Sequence, residues 1–473
     1  MNRFKQRLAP FSILAALILS ACSATPDLMP PQLATPAAFK EAQQPVLAAD
    51  GTQWRIAQPA EAQPRGQWWR AFHDPILAAM IDQATDANAS LAVATARVKQ
   101  ARAMAGLAES ERSIQIGAGV GAALAPATAW QAKLSASYEL DLFGRVGAGV
   151  GAAQADASAS GATYQSVLLA LQADVAQTYF RIRATDAELA TLASNVDLRV
   201  EGVKVSQSRF DNGDIGEFDL LRAKGELASA RFEAIGLERQ RVQFDHALAV
   251  LLGKPAAAFS LKATALPQVA ALPSIPAGLP STLLERRPDV VAAQRAMVAA
   301  NARIGVARSA MFPALMLSAS ASGGGASGAL SSVLAWSSRS WVLGALMSMP
   351  IVDGGRNKDN IARSEAVLEE SVAAYRQNVL VAFAEVEDNL AGLRILAQQS
   401  EQVEAGVVLA RRSSELAQKL YQAGRSSYLD VLDAQRNLTV IERNAAALRG
   451  NQAVTTVALI RALGGGWGNG YLN

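Results

Sequence analysis

The chain carries its own pattern twice. Displaced by 211 residues, Arg145 falls on Arg356, Tyr164 on Tyr375, Leu169 on Leu380 and Val175 on Val386. The match continues without a gap through Gly213/Gly424, Asp219/Asp430, Leu221/Leu432, Ala223/Ala434 and Leu227/Leu438 to Leu252-Gly253 over Leu463-Gly464. A shorter match sets 101–106 against 300–305. A unit of roughly 200 residues is far longer than a solenoid repeat, so the chain reads as a tandem duplication of one large folding unit. A Pro-rich stretch over 255–288 joins the two halves.

Inside each half the hydrophobic period identifies the elements. No Pro interrupts 146–209, where Leu168, Leu171, Val175, Thr178, Ile182, Thr185, Leu189, Leu192, Val196, Arg199, Val203, Ser206 and Phe210 recur at three- and four-residue steps. The second half repeats the stripe with Val379, Ala382, Val386, Asn389, Leu393, Leu396, Ser400, Val403 and Val407. A strict seven-residue period predicts a helix that supercoils about its neighbours. Sixty-odd residues at about 1.5 Å each make a rod of roughly 95 Å, too long for the core of a compact domain. Gly213 and Gly424 suit the left-handed cap that ends such a helix. Shorter returning helices are expected over 218–252 and 427–463. The segments FDNGDIGEFDLLRAKGEL (210–227) and YQAGRSSYLDVLDAQRNL (421–438) are therefore two helical hairpin tips.

Ahead of each rod the period becomes two. Trp130, Ala132, Leu134, Ala136, Tyr138 and Leu140 alternate with Gln131, Lys133, Ser135, Ser137 and Glu139, and 114–124 alternates more weakly through Gly and Ala. In the second half Leu315, Leu317, Ala319 and Ala321 oppose Ser318, Ser320 and Ser322, and Trp341, Leu343, Ala345, Met347 and Met349 share one face. Strands of about eleven residues cross a bilayer when tilted, and also suit a soluble hairpin half-buried on a domain.

The N-terminus tips this balance toward membrane. Arg3, Lys5 and Arg7 precede an apolar run over 8–19, followed by Leu19-Ser20-Ala21-Cys22. That is the layout of a secretory signal over 1–21, with an ending similar to the bacterial lipobox, in which the Cys becomes the acylated first residue. The three basic residues of 1–21 account for the whole net charge of +3, so the pI of about 9.0 argues for no nucleic-acid partner. Cys22 is the single Cys, so no intramolecular disulfide forms. Past the signal no run of eighteen apolar residues suggests a membrane helix. In lipid no strand edge stays open, and four strands are too few for the smallest membrane barrels of about eight. Closure must be shared between chains, as eight strands in a dimer or twelve in a trimer.

Catalytic chemistry finds no support. His73 and His246 lie in different elements without metal-type partner spacing, and neither supports a catalytic triad. The run Gly323-Gly324-Gly325 lacks the Lys of a phosphate loop and reads as a barrel loop. No cofactor is expected.

Several stretches resemble the TolC-like outer-membrane efflux channels, in their lipoprotein branch. They are QWWRAFHDPILAAMIDQA (67–84), YELDLFGR (138–145), LPSTLLERRPDVVAAQRAMVAANARIGVARSAMFP (279–313), PIVDGGR (350–356) and YQAGRSSYLDVLDAQR (421–436). The resemblance implies a mixed α and β fold. A trimeric twelve-stranded transmembrane β-barrel, with four strands per chain, would be continued by a long α-helical coiled-coil periplasmic tunnel. The expected layout is signal 1–21, a lipid-anchored and equatorial segment 22–87, first repeat 88–253, equatorial linker 254–288, second repeat 289–464 and tail 465–473. The implied partners are two further copies of the chain, outer-membrane lipid, a periplasmic membrane-fusion adaptor and an inner-membrane transporter of the resistance-nodulation-division type. The implied place is the outer membrane, lipid-anchored at Cys22 and reaching into the periplasm.

The resemblance also implies roles at the tips. Asp430 and Asp433 match a family position where acids from three protomers ring the periplasmic gate, and rings of this kind favour cations. Their spacing of three places both on one helical face. Ser427 and Asp430 equally fit an S-x-x-D capping box, which leaves Asp433 as the freer gate candidate. Arg222 stands opposite Asp433 in the first copy, so only the second tip has the acid pair. Tyr421 matches a latching Tyr. Arg425 follows Gly424 directly, where the family often has its Arg one residue later, so latch and packing roles both stay open. Phe210, Gly213, Asp214, Gly424 and Ser426 are the expected adaptor-docking residues. Trp68 and Trp69 read as equatorial anchors, and Arg286, Arg287 and Asp289 as a helix-entry salt bridge. A channel for drugs or other toxic small molecules is the expected function. The alternatives are a type I protein secretion channel and a coiled-coil scaffold without a pore.

Overall fold

The computed structural model describes residues 24–29, 31, 39–41, 66–124, 128–264, 273, 286–325 and 336–465. The signal segment and Cys22 lie outside the described residues, as does most of the linker after 264. The elements are α1 (Pro75–Ala87), α2 (Ala89–Ser110), β1 (Gln115–Leu124), β2 (Thr128–Leu140), α3 (Arg145–Asp211), α4 (Glu217–Leu251), α5 (Pro288–Ser309), β3 (Ala314–Gly325), β4 (Arg339–Ser348), α6 (Arg356–Gln422) and α7 (Tyr428–Ala462). Helices α3 and α6 each have 67 residues, and α4 and α7 each have 35. Both ends of each pair are offset by the same 211 residues, so the duplication survives in the element boundaries. At 1.5 Å per residue the two long helices run about 100 Å.

The described residues form two compact units, and each draws on both repeats: those within 1–33, 94–164 and 289–379 in one, those within 34–93, 165–288 and 380–473 in the other. The first unit holds the sheet, a four-stranded antiparallel meander in the order β1-β2-β3-β4. The central pairing, β2 with β3, joins the two repeats, from Trp130 opposite Gly325 to Leu140 opposite Leu315. The Gly run 323–325 is thus a paired strand end, where the sequence suggested a loop. A Cβ on Gly324 would lie 2.8 Å from the Trp130 carbonyl oxygen, so glycine is what lets β3 approach β2 closely enough to continue the ladder. Below the sheet Glu139 takes a bidentate grip from Arg145 at 2.7 and 2.6 Å. Asp141 accepts from the Val146 and Gly147 amides and so caps α3. Phe143 and Phe312 stack at 4.7 Å.

The second unit has a dense core of Leu77, Ile81, Val175, Ile182, Leu248, Ala382, Val386, Val457 and Ile460, each 1% exposed or less. Asp74 caps α1 and accepts the Tyr179 hydroxyl at 2.5 Å; burial, then this bond, push that hydroxyl's pKa up to about 12. Trp68 and Trp69 are buried, with their rings edge-to-face at 5.7 Å. The repeats also share their fastenings. Asn88 donates to the Leu251 carbonyl at 2.9 Å, and Arg287 to the Ala462 carbonyl at 3.1 Å, so each returning helix is tied at the same last-turn position. Arg287 pairs with Glu385 at 2.6 Å, which gives the expected helix-entry bridge its partner.

A buried charge network holds the chain after α4. Arg183, Asp186 and Asp245 are each less than a tenth exposed. Asp186 accepts from Arg241 and from the Thr264 amide, both at 3.0 Å, and lies 3.6 Å from Arg183. Arg183 donates to the Lys262 carbonyl at 2.8 Å, and Asp245 accepts the Leu261 amide at 3.0 Å. In the second repeat Arg394, the counterpart of Arg183, grips Glu41 at 2.7 and 3.1 Å instead.

Candidate functional site

Two surfaces stand out among the described residues: the faces of the sheet and the hairpin tips. On the sheet, the register aligns polar and small side chains along one face of β1, β2 and most of β3, and β4 mixes apolar Val342 and Leu346 into that face. Gly117 and Gly119 lie opposite Ser135 and Lys133, and Ser135, Ser137 and Lys133 oppose Ser320, Ser318 and Ser322. Ser340 then meets Ser322, their hydroxyls 2.8 Å apart, while β4 adds Val342 and Gly344 to the same face. The other face is apolar and open: Ile116 is 72% exposed, Leu134 52%, Trp341 77% and Leu343 73%. Within the chain the outer edges of β1 and β4 pair with no other described strand. So wide an apolar face is expensive in water and calls for lipid.

At the tips both long helices end alike. Gly213 (φ 78°) and Gly424 (φ 69°) adopt the left-handed conformation. The amides of Asp214 and Arg425 reach back to the carbonyls of Arg209 and Leu420 at 2.8 Å, and those of Gly213 and Gly424 to Phe210 and Tyr421 at 2.9 Å. This is a Schellman motif in each copy. Phe210, Asp214 and Arg425 are exposed, and Ser426 is half-buried with its hydroxyl unbonded among the described residues.

The copies diverge one turn later. Gly216 opens α4 without a side-chain cap, whereas Ser427 opens α7 with a full capping box. Asp430 accepts from the Ser427 amide and hydroxyl, both at 2.9 Å, so one of its carboxylate oxygens is committed to the cap. Asp433 is 61% exposed and its nearest cation is Arg436 at 3.8 Å. Arg436 is itself drawn to Glu226 on α4 by a bidentate pair, and seven residues on Arg443 repeats the contact with Glu233 at 3.1 Å. That heptad step ties the two returning helices together.

Tyr421 takes its hydrogen bond from Arg209, which also sits 5.7 Å from the ring centre. This contact joins the ends of α3 and α6, and Arg425 has no part in it. Tyr428 packs 5.4 Å from Tyr421, and burial raises its hydroxyl pKa. Arg199, one helical stripe above, is buried with Nη1 unpartnered, and burial lowers its pKa. Arg209, Glu226 and Tyr428 do not stand out in the sequence. For Arg199 a signal existed, since a cation on the apolar seven-residue stripe of a rod must meet something specific.

No helix among the described residues is long and apolar enough to cross a membrane. Residues 80–254 and 279–465 match the outer membrane efflux protein family. The chain is 33% identical over 466 residues to the toluene efflux pump outer membrane protein TtgI of Pseudomonas putida, across 96% of this chain and 97% of that protein. It is 31% identical over 473 residues to the cation efflux system protein CusC of Escherichia coli, across 98% and 99%. A crystal structure of CusC superposes with a TM-score of 0.82 at 28% identity, over 94% of this chain and 100% of that one.

Proposed function

Because the chain belongs to the outer membrane efflux protein family, we propose that it is the passive exit duct of a tripartite pump, closed as a homotrimer. As a member of that family it is an outer-membrane efflux channel component and not an enzyme. The observation that carries the finer reading is the four-stranded sheet, with one polar face, one exposed apolar face and two open edges. Lipid forbids the edges. Three copies give twelve strands, enough to leave a lumen lined by the Ser and Gly face. The long helices of the three copies make the periplasmic tunnel, and Cys22 carries the acyl anchor.

The substrates are small molecules, as for the relatives named for toluene and for cations. Driving energy comes from the partners, a resistance-nodulation-division transporter and its membrane-fusion adaptor, since the sequence holds no nucleotide-binding motif. The adaptor docks on the tips, at Phe210, Gly213, Asp214, Gly424 and Ser426. Around both glycines a Cβ meets open space, so Gly213→Asp or Gly424→Asp adds a charge with only the left-handed strain of about 1 kcal/mol. Either variant is expected to assemble as a trimer yet leave cells as drug-sensitive as those lacking the protein. Full resistance with either variant would remove the tips from the docking surface.

The gate is read by conductance in a planar bilayer. Wild-type protein should conduct weakly and prefer cations. Asp433→Ala, and more so Asp430→Ala with Asp433→Ala, should conduct more and discriminate less, because the carboxylate ring is gone. Silence from all three proteins would favour the scaffold alternative.

A further inference from the structure

We infer that Lys133 forms a ring of three cations inside the barrel, giving that segment of the duct a preference for anions opposite in sign to the tips. This rests on the trimeric channel reading. The strands and the residues between them, 115–140 and 314–348, contain only three charged side chains: Lys133, Glu139 and Arg339. Glu139 is neutralised by Arg145 at the barrel's end. Arg339 pairs in register with Gly323, on the apolar face, and lies 4.8 Å from the Trp336 ring centre. Lys133 remains, near the middle of β2 and exposed on the face of Gln131, Ser135 and Ser137.

Its surroundings leave the charge bare. Across the sheet its row reads Gly119, Lys133, Ser322 and Ser340, so no neighbour in that row is long enough to cover the ammonium. Lys133 has no carboxylate partner among the described residues, and 125–127 and 326–335 between the strands contain no acid. On a lipid face a mid-strand Lys would cost about 2–4 kcal/mol, whereas on a lumen face it is solvated and tunes selectivity. Twelve strands about 4.8 Å apart and tilted about 40° enclose a backbone radius of about 12 Å. A Lys stem of about 6 Å brings each ammonium to about 6 Å from the axis. That is inside the Debye length of about 8 Å at physiological salt, so the three potentials overlap where solute passes. A permeating solute would meet carboxylates first and ammoniums second. Small anions are slowed at the carboxylates and compact organic cations at the ammoniums, so zwitterions and neutral molecules are the least hindered.

The test is the reversal potential across a planar bilayer under a potassium chloride gradient, with Asp430→Ala and Asp433→Ala in every protein so that the tips do not mask the barrel. Lys133→Gln should lower the chloride-to-potassium permeability ratio about twofold or more, and Lys133→Glu should carry it to cation preference. Lys133→Arg should keep the parent ratio, which separates charge from side-chain bulk. Equal reversal potentials from conducting parent, Gln and Glu proteins would overturn the ring and leave the channel standing. No current from any of them, the parent included, would overturn the channel reading and the ring with it.

Discussion

Tyr421→Phe combined with Arg209→Ser is expected to raise the conductance of the assembled channel about tenfold, by releasing the second hairpin tip from the first long helix. The Arg209 guanidinium donates to the Tyr421 hydroxyl, and among the described residues the Tyr421 side chain makes no other hydrogen bond. A hydrogen bond to a charged group contributes about 1.5–3 kcal/mol. Three symmetric copies then contribute about 5–9 kcal/mol, against the roughly 5.5 kcal/mol that moves a two-state equilibrium from 1:99 to 99:1. One pair broken in each protomer is therefore enough to turn over the balance of a closed and an open tip. The signature differs from that of the acids. Loss of the latch should raise conductance and leave ion preference as it was, because Asp433 stays in place; Asp433→Ala should change preference as well. Single-channel recording separates the two. If the double variant forms trimers and conducts like wild type, the Arg209–Tyr421 contact is packing and holds no gate.

Asp186→Ala should produce the largest loss of stability, about 3–5 kcal/mol, because it strands buried cations. The Asp186 side chain is 2% exposed and serves Arg241, Arg183 and the Thr264 amide at once. Without it, Arg183 keeps the carbonyls of Lys262 and Thr264 and the Tyr179 ring at 4.9 Å but no carboxylate, and Arg241 keeps only Asp245, at 3.6 Å, and the Leu261 carbonyl. The strap over 261–264 would then lose the anchor of its Thr264 amide on α3. The measurement is the urea midpoint of the purified protein in detergent. A companion, Asp186→Leu with Arg241→Met, tests the cause: replacing both charges with apolar groups of similar size should recover much of the loss. Equal destabilisation in the two would show that shape, and not an uncompensated charge, is what the site depends on. A midpoint unchanged by Asp186→Ala would make the network dispensable.

The regular elements were legible because their signals are local. The seven-residue stripe of α3 and α6, ended by Gly213 and Gly424, marks both rods to within about two residues of where they stop. Alternation from Trp130 to Leu140 identifies β2 and the polarity of its two faces. The 211-residue displacement foretells that α3 and α6, or α4 and α7, match in length. Ser427 and Asp430 spell a capping box that the structure contains, and the same bond limits what Asp430 has left for a gate.

Tertiary structure alone decided which elements meet. The pairing of β2 with β3 across the repeats depends on contacts between positions nearly two hundred residues apart, and no periodicity encodes a strand's neighbour. It also turned Gly323 to Gly325 from an apparent loop into a ladder, because the decisive fact is how closely the Trp130 carbonyl approaches Gly324. In the same way the chain shows a Tyr at 421 but not that Arg209, 212 residues earlier, is its donor. The stripe marks Arg199 as buried without naming its surroundings. Lengths, caps and faces follow from residue spacing along one element, so the sequence determined them; strand order, latch partners and buried charge networks arise only when separate elements come into contact.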